Sequence, residues 1–271
     1  MVKIDIITYA TGYDYYIYER FIETLMKTGF GGTLHIIIKP LDEKHIITYE
    51  ETNSTSNITY FVDEFEEMSK YPHVNRFFTI HHYVATLEIK PEYLFLCDFR
   101  DVLFQKNIEN FPYNPDVDLY GFLEGKRIID EPNYNVPWIK TLEKIVGEEI
   151  FDKISHNSII CSGTTLGKFD AVREYLETMC DILFRYNIHI ILDQGIHNYM
   201  LYLSKMPNLR IELLSNKDNL VNTVGFDVHD LNEEGQIVNS EGEVSWVVHQ
   251  YDRFSPSLLR RLSEKHNVRF G

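Results

Sequence analysis

An α/β fold built on a largely parallel sheet is what the sequence predicts, and two observations predict it. Short apolar runs rich in β-branched residues alternate with longer segments whose apolar residues recur at helical spacing, and Gly and Pro punctuate the boundaries. Residues 2–8 are an apolar run that reads as a buried strand. Residues 15–27 carry Ile17, Phe21, Ile22 and Leu25 at helical spacing, and Gly29, Gly31 and Gly32 end that helix. A second buried strand spans 33–38 and stops at Pro40. Residues 41–59 are polar and read as a surface excursion; their Asn-x-Thr sequons at Asn53 and Asn57 are expected to be chance occurrences. A helix over 75–89 is closed by Pro91, and 93–97 is a short apolar strand. Strands follow at 119–123 and 158–166. Residues 169–185 form a long amphipathic helix with Val172, Leu176, Met179 and Leu183 on its apolar face. A helix at 193–203, a late strand at 244–249 and a closing helix at 256–265 complete the pattern. Strands alternating with helices in this way argue for one layered α/β arrangement.

Composition narrows the partners. The 271 residues are 44% hydrophobic and 14% aromatic, which excludes a disordered chain. No apolar run reaches the roughly 18–20 residues of a transmembrane helix. The opening lacks the basic start and cleavage site of a secretory signal. Cys97, Cys161 and Cys180 are odd in number and form no Cys-x-x-Cys pair, so neither a disulfide framework nor a zinc ribbon is indicated. A reducing, cytoplasmic setting is the expectation. The net charge is −15, with no run rich in Lys or Arg. That disfavours nucleic acid and anionic membranes as partners. A diphosphate remains compatible if a divalent cation neutralises it locally.

The strongest local signal is the apolar strand 93–97 followed at once by Asp98-Phe99-Arg100-Asp101. In open α/β sheets ligands bind at the carboxyl ends of strands. Two carboxylates so close repel one another, and a hard divalent cation relieves that repulsion while bridging to substrate phosphates. A solvated turn with an Asp–Arg ion pair is the competing structural reading. Three other chemistries lack their motifs. A nicotinamide dehydrogenase needs Gly-x-Gly-x-x-Gly after the first strand, where this chain has Gly12 alone. A sugar-nucleotide pyrophosphorylase needs a glycine-rich basic loop there. A haloacid-type phosphatase needs an acid where Arg100 stands.

The acidic segment resembles the Asp-x-Asp motif of the GT-A glycosyltransferases, in its Asp-x-Arg-Asp variant. The resemblance runs from Ile4 to Asp252. It includes the first strand Ile4–Ala10, the run Phe21–Phe30, Asn75-Arg76-Phe77-Phe78, Ser162–Gly167, Leu192–Asn198 and Val247-Val248-His249. Cys161 and Ser162 occupy positions where Asn and a small residue are usual. The resemblance implies one GT-A-like domain over 1–271: a central, mostly parallel sheet flanked by helices, with a small antiparallel element near the acceptor side. It implies transfer of a sugar from a nucleotide-diphosphate sugar, a UDP-sugar foremost, to a glycan or other hydroxyl acceptor. A silent nucleotide-sugar-binding module of the same fold is the alternative.

By the same resemblance Asp98, Asp101 and His249 hold Mn2+ or Mg2+, with Asp101 the most direct ligand and Asp98 also reaching the ribose or a metal-bound water. Neutral imidazole suits such an ion, although a lone His after a strand is often structural. Thr8, Tyr9 and Ala10 are placed at the nucleotide, with the Tyr9 ring against the base or simply packed. Arg76 is aimed at the diphosphate, and Arg100 at phosphate or the carboxylates; ordinary ion pairs compete for both. Lys168 and Arg253 are weaker phosphate candidates. Ser162 and Gly163 lie beside the donor sugar. Asp193 and Gln194 open a helix near the acceptor, Asp193 as general base or as a mere N-cap, and Gln194 as a sugar contact. Glu124, after the strand 119–123, is the competing base or a surface-loop residue. His81 and His82 are adjacent, point about 100° apart on a helix and read as structural.

Overall fold

The structure, a computed structural model, describes residues 2–53, 57–67, 69–226 and 231–270. The chain runs β1 (Ile4–Ala10), α1 (Tyr15–Met26), β2 (Leu34–Ile38), α2 (Glu43–Thr52), β3 (Ile58–Val62), α3 (Pro72–Thr86), β4 (Tyr93–Cys97) and β5 (Val102–Phe104). It continues with β6 (Leu119–Arg127), α4 (Asn135–Val146), α5 (Phe151–Ile154), β7 (Ser158–Lys168), α6 (Phe169–Arg185), α7 (Asp193–Tyr202), β8 (Ile211–Leu214), β9 (Val221–Thr223), β10 (Val247–His249) and α8 (Pro256–His266).

Seven strands make one sheet in the order β3-β2-β1-β4-β7-β6-β8. Every pairing is parallel except the two made by β7, which runs antiparallel to β4 and to β6. All residues of β1 and β4 are buried, because helices cover both faces. Successive side chains point to opposite faces. Ile7, Leu94 and Leu96 therefore join the core shared with α3, α6 and α7, while Ile4, Ile6, Tyr93 and Phe95 join the core shared with α1 and α2. No described helix is long and apolar enough to cross a membrane.

The polar stretch 41–59 is not a plain surface excursion. It holds α2 and leads into β3, a parallel edge strand registered Leu34↔Ile58 to Ile38↔Val62. Its apolar signal is thin: α2 buries only Ile46 and Tyr49, and Tyr49 donates its hydroxyl hydrogen to Glu23 Oε1 at 2.9 Å. The Asn57 amide is tied to the Phe30 and Gly32 carbonyls at 3.3 and 3.0 Å. Ser54 and Thr55 of the other sequon lie outside the described residues.

The small second sheet, β5-β10-β9, is mixed rather than antiparallel: β10 runs antiparallel to β5 and parallel to β9. The late strand is also shorter than 244–249, because Val244 is drawn into a separate bridge with Val238.

Helix α7 is fastened to the sheet by its polar residues. Asn198 accepts from Ile160 N at 2.9 Å and donates to Ile160 O at 2.8 Å, standing in for a strand partner where the β6–β7 register shifts. One turn from the helix start, His197 is fully buried, with Nδ1 2.8 Å from the Tyr175 hydroxyl. Burial, aided by the nearby Arg76 cation, pushes the His197 pKa down to about 3. Its folded pKa lies below the unfolded value of about 6.5, so the unfolded state takes up the proton first as pH falls. The stability that neutral His197 contributes is complete above about pH 6.5 and is lost as pH drops toward 3. Urea unfolding at pH 7 and pH 5 is expected to show the wild type losing about 2 kcal/mol more than His197→Gln between the two.

Candidate active site

The carboxyl end of β4 delivers Asp98, and the following turn delivers Asp101 at the start of β5. Because His249 ends β10 in register with Val102, the small sheet sets the imidazole beside both carboxylates. One ligand atom from each of Asp98, Asp101 and His249 lies within 4.8 Å of the others. His249 Nε2 is 3.5 Å from Asp98 Oδ2 and 3.7 Å from Asp101 Oδ1, and this buried nitrogen has no hydrogen-bond partner. An orphaned imidazole nitrogen facing two carboxylates is a donor set suited to a hard-to-borderline divalent cation. The other ring nitrogen, Nδ1, is 3.4 Å from Cys161 Sγ. This contact is where the unusual Cys161 is used: it orients the imidazole from behind, as partners of ligating histidines commonly do.

Charge within the triad is uneven. Burial opposes the Asp98 charge, but Arg76 and then His249 outweigh it and hold its carboxyl well below the usual range. Burial, reinforced by the Asp98 charge, pushes Asp101 up. Burial also works against the His249 cation, yet Cys161 and the two carboxylates raise its pKa well above the ordinary value. Because burial pushes the Cys161 thiol to about 11, it is neutral near pH 7, and the carboxylates carry that effect.

Arg76, on α3, is the hub. Its Nη1 makes a short charge-assisted hydrogen bond to Asp98 Oδ1, and its Nη2 donates to Asp193 Oδ2 at 2.8 Å. Its guanidinium also lies 4.9 Å from the centroid of the Phe77 ring. Asp193 is the first residue of α7; the N-cap position belongs to Leu192. The capping role considered for Asp193 is therefore replaced by the ion pair with Arg76, supplemented by Ser162 Oγ at 3.4 Å. Gln194 Oε1 accepts from Ser162 N at 3.3 Å, while Nε2 donates to Asn135 Oδ1 at 3.1 Å and Glu124 Oε1 at 3.4 Å. Glu124 is no surface-loop residue: it lies within β6, is 3% exposed, and burial raises its pKa.

Two clefts meet at Arg76 and Asp98. One, of about 630 Å3, is lined by Glu124, Ser162, Gly163, Asp193, Gln194 and His249 among others. The second, of about 220 Å3, is lined by Tyr9, Thr11, Tyr13, His73, Arg100 and Asp101 among others. Tyr9 donates its hydroxyl hydrogen to Asp63 Oδ2 at 2.8 Å and is nearly buried. Tyr13, stacked on Phe99 with centroids 6.1 Å apart, is the more open ring on that cleft.

Not every residue expected at the site reaches it. Thr8 is fully buried inside the sheet, and Ala10 is buried with its carbonyl accepting from the Tyr18 hydroxyl at 3.2 Å. Neither lines the two clefts, because β1 runs on past the expected end at Thr8 and keeps both residues within the sheet. Arg100 pairs with Asp252 at 2.8 Å rather than lying between the carboxylates. Lys168 pairs with Asp118 at 2.9 Å, away from the clefts. Sequence reasoning missed Asn135 and Gln250. Gln250 has φ of 66° and donates its backbone N–H to Asp101 O at 2.8 Å, a left-handed turn for which Gln carries no signal.

No protein-family profile and no curated protein matches this sequence. Solved structures do match. Galactosyltransferase LgtC in complex with donor and acceptor sugar analogues aligns over 97% of this chain and 96% of that one, with a TM-score of 0.60 and 9% identity. An active-site mutant of LgtC aligns over the same shares with a TM-score of 0.59 and 11% identity. The chain thus has the GT-A fold; at this identity the likeness is one of architecture.

Two outcomes follow from this geometry. A Cβ on Gly163 would stand 2.5 Å from His249 Cε1 and 2.6 Å from Asp98 Oδ2. Gly163→Ala is expected to displace the imidazole and the Asp98 carboxylate, so that any affinity of the cluster for a divalent cation, probed by electron paramagnetic resonance of free Mn2+, falls by about 10-fold or more. Arg76→Met leaves two carboxylates without their cation and is expected to cost about 3 kcal/mol in denaturant unfolding.

Proposed function

We propose that this protein is a metal-dependent glycosyltransferase that moves a sugar from a nucleotide-diphosphate sugar, most simply a UDP-sugar, to a hydroxyl acceptor. The observation that carries the reading is the Asp98–Asp101–His249 triad, with its unpartnered His249 Nε2, at the junction of two clefts. Asp98, Asp101 and His249 would hold Mn2+ or Mg2+. When bound, that ion acts as a Lewis acid on the departing diphosphate.

The chain's own residues divide the remaining work. The smaller cleft takes the nucleoside, with the Tyr13 ring facing the base and Arg100 near the phosphates. Arg76 keeps Asp98 ionised and fixes Asp193 at the start of α7. Asp193 faces the larger cleft, where its carboxylate orients the acceptor hydroxyl or offsets positive charge on the sugar. Gln194, held between Ser162 and Asn135, presents its amide to the sugar. Glu124, buried and with its pKa raised by burial, accepts from the Gln194 amide and stays the competing base candidate beside Asp193. The three cysteines are free and buried, which supports a reducing, cytoplasmic setting.

The test is titration of a panel of UDP-sugars with and without Mn2+, followed by product analysis. Mn2+-dependent binding and slow hydrolysis or transfer are expected in the wild type. Asp101→Asn should lose about 10²-fold or more in rate while its circular dichroism is unchanged. Nucleotide binding indifferent both to metal and to Asp101→Asn would end this reading; metal-dependent binding without turnover would leave a silent binding module.

A further inference from the structure

The far wall of the larger cleft is built from residues that none of the donor chemistry uses. Lys126 lies on β6, two residues beyond Glu124, and its Nζ sits 4.9 Å from the centroid of the Phe226 ring. Arg253 approaches the same ring at 6.0 Å. Tyr134 and Trp138, on one face at the start of α4, have ring centroids 5.5 Å apart, and Tyr134 is 61% exposed. All five line the 630 Å3 cleft, and none of them lines the smaller one that contains Asp101. The packing of α4 on α7 fixes this wall: the Trp138 Cβ lies 3.4 Å from where a Cβ on Gly195 would be, one residue after Gln194.

Charge accounting gives the wall its meaning. The chain as a whole carries −15, yet the carboxylates of this cleft are all engaged. Asp98 and Asp193 are paired with Arg76. Glu131 is buried, and its oxygens accept the backbone N–H groups of Asn133, Tyr134 and Asn135 at 3.2, 2.8 and 2.6 Å. Glu124 is buried against the Gln194 amide. Among the described residues, by contrast, no carboxylate forms an ion pair with Lys126 or Arg253. Formally the four carboxylates lining the cleft outnumber its Arg and Lys cations, but Lys126 and Arg253 are, among the described residues, the cations left without an ion-pair partner, so the anionic group of a ligand is free to pair with them. An exposed aromatic face beside them offers the flat apolar surface on which the C–H face of a pyranose packs.

We infer that this wall is an acceptor subsite for a saccharide bearing an anionic group, a carboxylate or a phosphate, with Lys126 as the anion anchor and Tyr134 and Trp138 as the platform for the ring. The inference rests on the glycosyltransferase reading for the word acceptor, but the binding site itself does not. Lys supplies a point charge without the bidentate geometry of Arg, so the subsite accepts either anion. A charge-assisted contact in a partly buried cleft discriminates charged from neutral sugar on the order of tenfold, and the preference weakens with salt.

The experiment is calorimetric or saturation-transfer titration of the full chain, at low ionic strength in metal-free buffer. The probes are methyl glucoside, methyl glucuronide, glucose 6-phosphate and inorganic phosphate. The glucuronide, the phosphosugar or both should bind about tenfold more tightly than the glucoside, and whichever arm shows the preference identifies the anion. Lys126→Met, which keeps the aliphatic stem over Phe226, should bring the charged sugars down to the level of the glucoside. Tyr134→Ala should weaken all the sugars alike. Equal binding of charged and neutral sugars, an unchanged preference in Lys126→Met, inorganic phosphate binding as tightly as the phosphosugar, or no sugar binding at all would each overturn the subsite. Titration of UDP-sugars with Mn2+ runs alongside: donor binding without anionic preference rejects the subsite alone, whereas anionic-sugar binding without any donor binding keeps the subsite and rejects the transferase.

Discussion

The candidate site depends on one partly buried guanidinium. Arg76 comes from α3, Asp98 from the end of β4, and Asp193 from the start of α7, and the guanidinium ties the three together. A planar fork with fixed donors suits this bridging role better than a flexible ammonium. The pairing also settles what each carboxylate is able to do. Asp98 is kept ionised, and Asp193, the first residue of α7, is held in an ion pair. The cost of bringing these charges out of water is offset because every one of them has a geometric partner.

Around this hub the rest of the site is arranged by backbone pairing. Asp98 donates its N–H to Gly163 O at 2.7 Å, joining β4 to the middle of β7, where Gly163 leaves room for His249. Ser162, next along β7, meets Gln194, and Gln194 meets Asn135 at the start of α4. A single antiparallel strand in an otherwise parallel sheet thus brings Cys161, Ser162 and Gly163 to the larger cleft. The polar residues of α7 serve structure as much as chemistry: Asn198 completes the Ile160 backbone, and His197 fills the space beneath.

How much of this was legible in the sequence follows from the strength of each local signal. β1 and β4 are dominated by apolar residues, and α6 repeats its apolar residues over several turns, so their existence could be read directly. The three-residue strands β5 and β9 carry no periodicity, and α2 hid within a polar stretch because a helix burying two residues needs few apolar positions. Asp98, Asp101 and His249 were visible because acids after an apolar strand, and a His after another, fit a known order of motifs. The partners of those residues were not visible. The tie of Arg76 to Asp193 spans 117 residues, and that of Cys161 to His249 spans 88, so each is a product of tertiary packing. Thr8 and Ala10 were misplaced for the opposite reason: a β-branched strand end looks the same whether it opens on a cleft or stays beneath one.

The register of β10 against β5 has a consequence for how the protein comes into being. His249 stands opposite Val102 across a ladder of three paired positions. Because side chains alternate along a strand, a slip of one residue would turn the imidazole to the other face. Its partners Asp98 and Asp101 are synthesised nearly 150 residues earlier. Among the described residues β10 is the only strand paired with β5, so the turn that carries Asp101 gains its sheet partner only when the C-terminal segment docks. The cluster is therefore assembled from two distant parts of the chain, and its geometry is complete only once the C-terminal strand has docked in register.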